Sequence, residues 1–377
     1  MSSPNLIVFT IILIFGIQAI VLVILILRKR PIKQSNIFLA LILFFFALMS
    51  VNAALAHFLI VFNKINLYGH LRLQLLFGIG PSLYFYTKSI TDPDYHISRK
   101  EYIHFIPVVL EFIYLRTPFF QKGYEYRSRF YQKGVYEIPF ELHSFVDSII
   151  QNLMALSAII YISFSIWLFF RYKKWLKSNY SNLKSKSLRW FSIPLFLYSG
   201  FWILWMFIRT LDDIFFQNQL QDSYTLPFVI GISVATCWIG FKGYIKAQID
   251  AVGFSKESLN VKLKSANPEV ANEIINLMLT QKPYLNPDLD LQKLSEMIDM
   301  NSKIVSQIIN TDLKMNFYEF INKYRVEEFK NRLQNQESDK FSLMGLAYEC
   351  GFSSKSTFNH VFKKITGQTP SEYKNQL

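Results

Sequence analysis

Two short polar stripes near the C-terminal end carry the side chains best suited to recognition chemistry. Lys303, Ser306, Gln307 and Asn310 form the first, and Lys355, Ser356, Asn359, His360 and Lys363 form the second. Spacings of three and four residues put each set on one face of a helix. Amides, hydroxyls and an imidazole offer the donors and acceptors that read base edges in a major groove, and lysines neutralise phosphate. A single stripe of this kind is also what any solvated helix face shows. The weight therefore rests on the elements around each stripe and on their recurrence.

Opposite the first stripe, Val305, Ile308 and Ile309 face inward at helical spacing; opposite the second, Phe358, Val361, Phe362 and Ile365 do so. A short helix precedes each. Asp290 is placed to cap Leu291–Ile298, the turn Asp299-Met300-Asn301 follows, and the stripe-bearing helix begins at Ser302. In the second copy Ser342 caps Leu343–Cys350, Gly351 supplies a left-handed turn, and the helix runs from Ser354 to about Thr366. Ser295 and Ala347 are the small residues where paired helices cross, and Asp299 and Gly351 follow each at the same distance. Two helix-turn-helix modules are the reading, joined by an amphipathic helix from Phe317 to Leu333 with Phe320, Ile321, Tyr324, Phe329 and Leu333 inward. Such a helix is about 25 Å long, and recognition helices entering successive grooves of straight DNA lie about 34 Å apart. Asn267-Pro268-Glu269 marks one more helix start, with Val270, Ile274, Leu277 and Met278 on its apolar side.

The N-terminal two thirds has a different character. The chain is 51% hydrophobic and 17% aromatic, beyond what a water-soluble domain carries. Apolar runs lie at Leu6–Leu27, Ile37–Phe62, Leu71–Thr87, Tyr102–Leu115, Phe145–Phe170, Trp190–Ile208 and Tyr224–Ile245. Crossing about 30 Å of hydrocarbon takes roughly 20 helical residues. The third and fourth runs are shorter and contain Arg72, Pro81, Pro107 and Glu111. Counting all seven as spans with the N-terminus outside puts 16 of the 24 lysines and arginines of residues 1–246 on the cytoplasmic side. Leu6–Leu27 reads as a retained span, not a cleaved signal peptide.

The formal charge of +13 sits wholly in residues 1–246, with 24 basic against 11 acidic side chains; residues 247–377 hold 16 of each. Nucleic-acid binding by the C-terminal part must then use placed cations, not bulk charge. Acidic residues in or beside the spans are costly in lipid, so Glu111, Asp147 and the pair Asp212/Asp213 are candidates for a polar signal site. The segment Thr117–Leu142 is rich in aromatics and holds Arg127 and Arg129. It reads either as a small hairpin offered to an external ligand or as an aromatic belt at headgroup level. His57, His70, His96, His104 and His143 lack metal-ligand spacing, so no metal or cofactor is expected. Cys237 and Cys350 read as buried thiols.

Residues 267–376 resemble the DNA-binding domain of the AraC/XylS family of bacterial transcription regulators. The resemblance rests on Leu291-Gln292-Lys293-Leu294-Ser295, on Tyr324-Arg325-Val326-Glu327, and above all on the run from Ala347 through Gly351-Phe352-Ser353 to Phe358. It continues through Phe362-Lys363-Lys364 and Gly367-Gln368-Thr369-Pro370-Ser371-Glu372-Tyr373. It implies a seven-helix, two-module domain that binds promoter DNA and activates or represses transcription. Base contacts would then fall on Lys303, Ser306 and Gln307 and on Lys355, Ser356, Asn359 and His360, with a phosphate contact from Lys363. Lys314 stands where the family usually has glycine, and Ser295 where it usually has alanine.

The expectation is an all-α chain: a seven-span membrane domain (1–246), a cytoplasmic linker (247–266) and an AraC-type domain (267–377). It would act as a sensor and regulator in the bacterial cytoplasmic (inner) membrane, not as an enzyme. Its partners would be double-stranded promoter DNA, the lipid bilayer, RNA polymerase, a second copy of the chain and a signal ligand of unknown identity. Two other readings stand beside it: a membrane transporter or enzyme with a regulatory cytoplasmic domain, and an adaptor whose helix-turn-helix domain binds protein. The first lacks a nucleophile motif, a metal cluster and a phosphate-binding glycine loop.

Overall fold

The computed structural model describes residues 3–28, 32–61, 71–72, 75–92, 95–117, 138–183, 188–215, 221–246, 268–335 and 341–377. Among these the regular elements are helices, with one isolated bridge between Tyr180 and Asp290. The chain divides into two compact units: residues 1–169 with 188–253, and residues 170–187 with 254–377.

In the first unit lie α1 (Ser3–Arg28), α2 (Gln34–Val61), α3 (Ile79–Thr91), α4 (Ile106–Leu115), most of α5 (Ile138–Asn179), α6 (Arg189–Phe215) and α7 (Gln221–Lys246). α1 packs along α2, and α7 packs against α1, α2 and α6. Leu39, Leu43, Phe46, Phe191, Leu195 and Ile232 are buried there. The outer faces are apolar as well: Ile14, Ile17, Phe164, Trp167, Ile203 and Phe207 are all exposed. A helix apolar all round needs apolar surroundings on every side. Among the described residues, five stretches are long and apolar enough to cross a membrane: Thr10–Arg28, Gln34–Ala56, Ser148–Asn179, Phe191–Asp212 and Pro227–Ile245.

The expected third and fourth spans are not among these five stretches. They fold as α3 and α4, of 13 and 10 residues, about 20 and 15 Å long and short of the hydrocarbon thickness. Their prolines explain the late starts. Pro81 lies in the first turn of α3 and Pro107 at the start of α4, where a missing N–H costs no helical bond, and 3-10 turns at Leu76–Gly78 and Arg99–Phe105 precede them. A Cβ on Gly78 would lie 2.2 Å from the Phe45 ring of α2, so any larger residue there requires that ring to move.

The second unit holds α8 (Pro268–Thr280), α9 (Leu291–Met297), α10 (Ser302–Thr311), α11 (Phe317–Gln334), α12 (Leu343–Glu349), α13 (Lys355–Thr366) and α14 (Pro370–Lys374). Helix starts follow the caps. Asp290 accepts from the Lys293 amide, Ser342 from the Gly345 amide, Asn301 from the Lys303 amide and Ser354 from the Thr357 amide. α11 supplies two cores. Phe317, Phe320 and Ile321 join Ile274, Leu294 and Ile309 in one; Val326, Phe329 and Leu333 join Leu346, Phe358 and Phe362 in the other. Each large apolar side chain so buried stabilises its module by about 1.5–3 kcal/mol.

Asp299 and Gly351 have φ of 48° and 87°, so both modules turn through the same left-handed position. Ser295 is accommodated because its hydroxyl donates to the Leu291 carbonyl at 2.7 Å. Lys314 takes a φ of 53° where the second module has Gly367 at 81°, which is the backbone reason glycine suits that position. Ile365, expected inward, is 41% exposed, because it lies in the last turn of α13 beyond the reach of the second core. Cys350 is buried but Cys237 only partly so. The linker at 247–266, Arg127 and Arg129 lie outside the described residues.

Candidate nucleic-acid interface

Burial of one face determines what the other face of each recognition helix presents. In α10, Val305, Ile308 and Ile309 enter the first core. Lys303 and Asn310 are consequently exposed, with Ser306 and Gln307 half-buried between them. Asn310 Nδ2 donates to the Ser306 carbonyl at 2.6 Å and lies 3.3 Å from its hydroxyl, so the two polar groups are held together. In α13, Phe358, Val361 and Phe362 enter the second core, leaving Lys355, Ser356, Asn359, His360 and Lys363 exposed. Every residue expected to contact DNA thus lies on the outward face of one of two capped helices. This is the arrangement that lets side chains reach base edges while the helix lies in a groove.

Lys364 departs from its neighbours. Its Nζ donates to Glu319 Oε1 at 2.9 Å, joining α13 to the first turn of α11. The Lys364 hydrogen bond holds the Glu319 carboxyl below the usual carboxylate range. Lys363, one residue earlier, points outward and suits a phosphate.

The network joining the two modules is not announced by the sequence. Arg325 is 1% exposed. Its Nε donates to the Tyr284 carbonyl at 2.7 Å, and one terminal nitrogen donates to the Asn286 carbonyl at 2.8 Å and the Ser181 hydroxyl at 3.2 Å. Burial brings the guanidinium down to about 10, which still leaves it charged at neutral pH. Glu328, also on α11, accepts from Lys282 Nζ at 2.9 Å, Arg332 Nε at 2.8 Å and the Tyr284 hydroxyl at 3.1 Å. Burial raises its carboxyl, but the bonds from Arg332, Lys282 and Tyr284 outweigh that and hold it below the usual range. A signal for Arg325 is present all the same: it falls four residues after Ile321 and four before Phe329, on the inward register of α11.

Of the signal-site candidates, Glu111 is 6% exposed, and its two oxygens accept from the Leu76 and Phe77 amides at 3.2 Å each. The carboxylate thereby anchors the 3-10 turn ahead of α3. It also lines a largely apolar cavity of about 570 Å³ with Phe77, Leu110, Leu153, Ile160 and Tyr161. Among the described residues no cluster of His, Cys, Asp or Glu is placed to hold a metal ion.

Residues 294–376 match the helix-turn-helix domain family. Over 91 residues the chain is 31% identical to uncharacterized HTH-type transcriptional regulators of Staphylococcus aureus strains COL, MSSA476 and MRSA252. That stretch is 24% of this chain, and it spans only 12% of the length of those relatives. No solved structure matches the chain. The C-terminal part of this protein is therefore a helix-turn-helix domain of the AraC type, similar in sequence to a segment of proteins named as transcriptional regulators.

Proposed function

We propose that this protein is a membrane-bound bacterial transcription regulator and not an enzyme. It binds promoter DNA through α10 and α13 and takes its signal through the apolar unit. The observation that carries the reading is the repeated geometry: two N-capped helices, each launched from a positive-φ turn and each turning its cations, amides and hydroxyls outward. Lys303, Ser306, Gln307, Lys355, Ser356, Asn359 and His360 read bases, and Lys363 binds phosphate. The apolar exterior of α1, α5 and α6 supports placement in the cytoplasmic membrane. An odd number of crossings, five or seven, delivers α8–α14 to the side opposite the N-terminus, which is the cytoplasm when the N-terminus is outside. Signal entry is assigned to the first unit, with Glu111 and its cavity as the polar feature available there.

The test is selection from a randomised duplex pool by the full chain in lipid nanodiscs, followed by salt titration of the winning sequence. A bipartite site with half-sites about one helical turn apart is the expected result. The balanced charge of residues 247–377 favours one competing reading, an adaptor domain that binds protein. Failure to enrich any sequence would transfer the assignment to it.

A further inference from the structure

The segment that follows α5 is built into the DNA-binding unit. Ser181 is fully buried. Its hydroxyl and its amide both donate to the Leu289 carbonyl, the hydroxyl also accepts from Arg325, and its own carbonyl accepts from Asn322 Nδ2 at 3.4 Å. Tyr180 bridges Asp290, the residue whose carboxylate caps α9. Three pieces of chain distant in sequence therefore converge on one serine: the end of α5, the lead-in to the first module, and the connecting helix α11.

We infer that Ser181 is a positioning residue for DNA binding by the first module, and that the end of α5 is the mechanical link through which that module is controlled. The inference rests on the DNA-binding reading above. Removing the hydroxyl takes a partner from the buried Arg325 and a donor from the Leu289 carbonyl, and a buried group left unpaired costs more than the bond itself contributed. Leu289 and Asp290 set where α9 begins, and α9 packs against the recognition helix α10. Tyr180 also stacks edge-on against Trp175 of α5, with ring centroids 5.8 Å apart, which ties the docked segment back to its helix. α5 runs unbroken from Ile138 to Asn179 and contains the candidate span Ser148–Asn179. A rotation or axial shift of α5 thus reaches Ser181 across one intervening residue. The docked state holds the first module in its binding geometry, and undocking releases it.

The test compares wild type with Ser181→Ala, as full chains in nanodiscs, on three duplexes: the selected site intact, its first half-site scrambled, and its second half-site scrambled. Hydrogen exchange across Leu289–Leu294 and Leu343–Glu349 is followed in parallel. Ser181→Ala should bind the intact site about 5- to 10-fold more weakly. It should match wild type once the first half-site is scrambled, and exchange faster only in the first segment. Asn322→Ala removes a different bond to the same docked segment and should show the same half-site pattern. Equal affinities on the intact site, or an equal loss at both half-sites with faster exchange throughout, overturns the positioning role. A wild-type chain that selects no sequence brings down the DNA reading itself, and the positioning role with it.

Discussion

Gly351 closes over the guanidinium of Arg325: a Cβ at position 351 would lie 3.0 Å from Arg325 Nε and 2.3 Å from the Tyr284 carbonyl oxygen that this nitrogen binds. The turn of the second helix-turn-helix therefore packs against the start of the first module, and the buried arginine ties the two together. Domain-level rigidity follows from that packing, since the half-site spacing depends on how α10 and α13 are held relative to each other.

The two left-handed glycines of the second module should respond differently to alanine. Gly367→Ala meets open space and bears only the backbone strain of φ 81°, a loss of about 1 kcal/mol. Gly351→Ala adds a collision with backbone oxygen that has no flexible partner to yield, and should cost about 3 kcal/mol or more. Pulse proteolysis of the full chain, following fragments of the C-terminal unit, measures both. Equal losses would show that Gly351 is not closely packed.

Lys314→Gly should stabilise the first module. The lysine holds φ 53°, and relief of that left-handed conformation exceeds the added freedom of glycine in the unfolded chain, for a net gain of about 0.5–1 kcal/mol. The same proteolysis assay should show a higher denaturant midpoint. A lower midpoint would mean that packing of the lysine side chain outweighs the strain.

Acid should weaken the C-terminal unit through Glu328. Its carboxyl titrates lower folded than unfolded, so its contribution is fully present above the unfolded value and is lost as pH falls through the lowered folded one. With an ordinary glutamate near 4.3, the loss begins as pH falls toward that value and continues below it. Glu328→Gln should be less stable at neutral pH and should flatten the acid side of the stability curve. Parallel curves for the two proteins would remove Glu328 from the account.

Lys355→Ala together with Lys363→Ala should weaken DNA binding and reduce its salt dependence. Removing one lysine–phosphate pairing lowers the slope of log K against log salt by about 0.9. Asn359→Ala should instead relax discrimination at one base pair by about 1–3 kcal/mol and leave the slope unchanged. If the double lysine variant keeps the wild-type slope, those side chains do not meet the duplex.

Both helix-turn-helix modules were legible in the chain because their information is local. A cap speaks to an amide three residues away, a turn depends on one positive φ, and inward residues recur within a helical turn, as at Val305, Ile308 and Ile309. Asp290, Ser342, Asp299 and Gly351 could each be assigned without knowing where the rest of the chain went. The apolar stretches were legible as composition, and the third and fourth as the shorter ones, but the points where their helices begin were not. Pro81 and Pro107 allow a helix to begin as readily as they interrupt one, and only the folded chain shows that α3 and α4 start beside them, later than the apolar runs do. The placement of Arg325, Glu328 and Ser181 lay beyond sequence reasoning for a further reason. Arg325 meets Tyr284 across 41 positions and Ser181 across 144, and no periodicity links residues that far apart. By its sequence alone the chain specified two recognition helices and an apolar body. How the buried arginine joins the modules, and that the end of α5 belongs to the DNA-binding unit, depended on which distant polar groups satisfied one another once water was excluded.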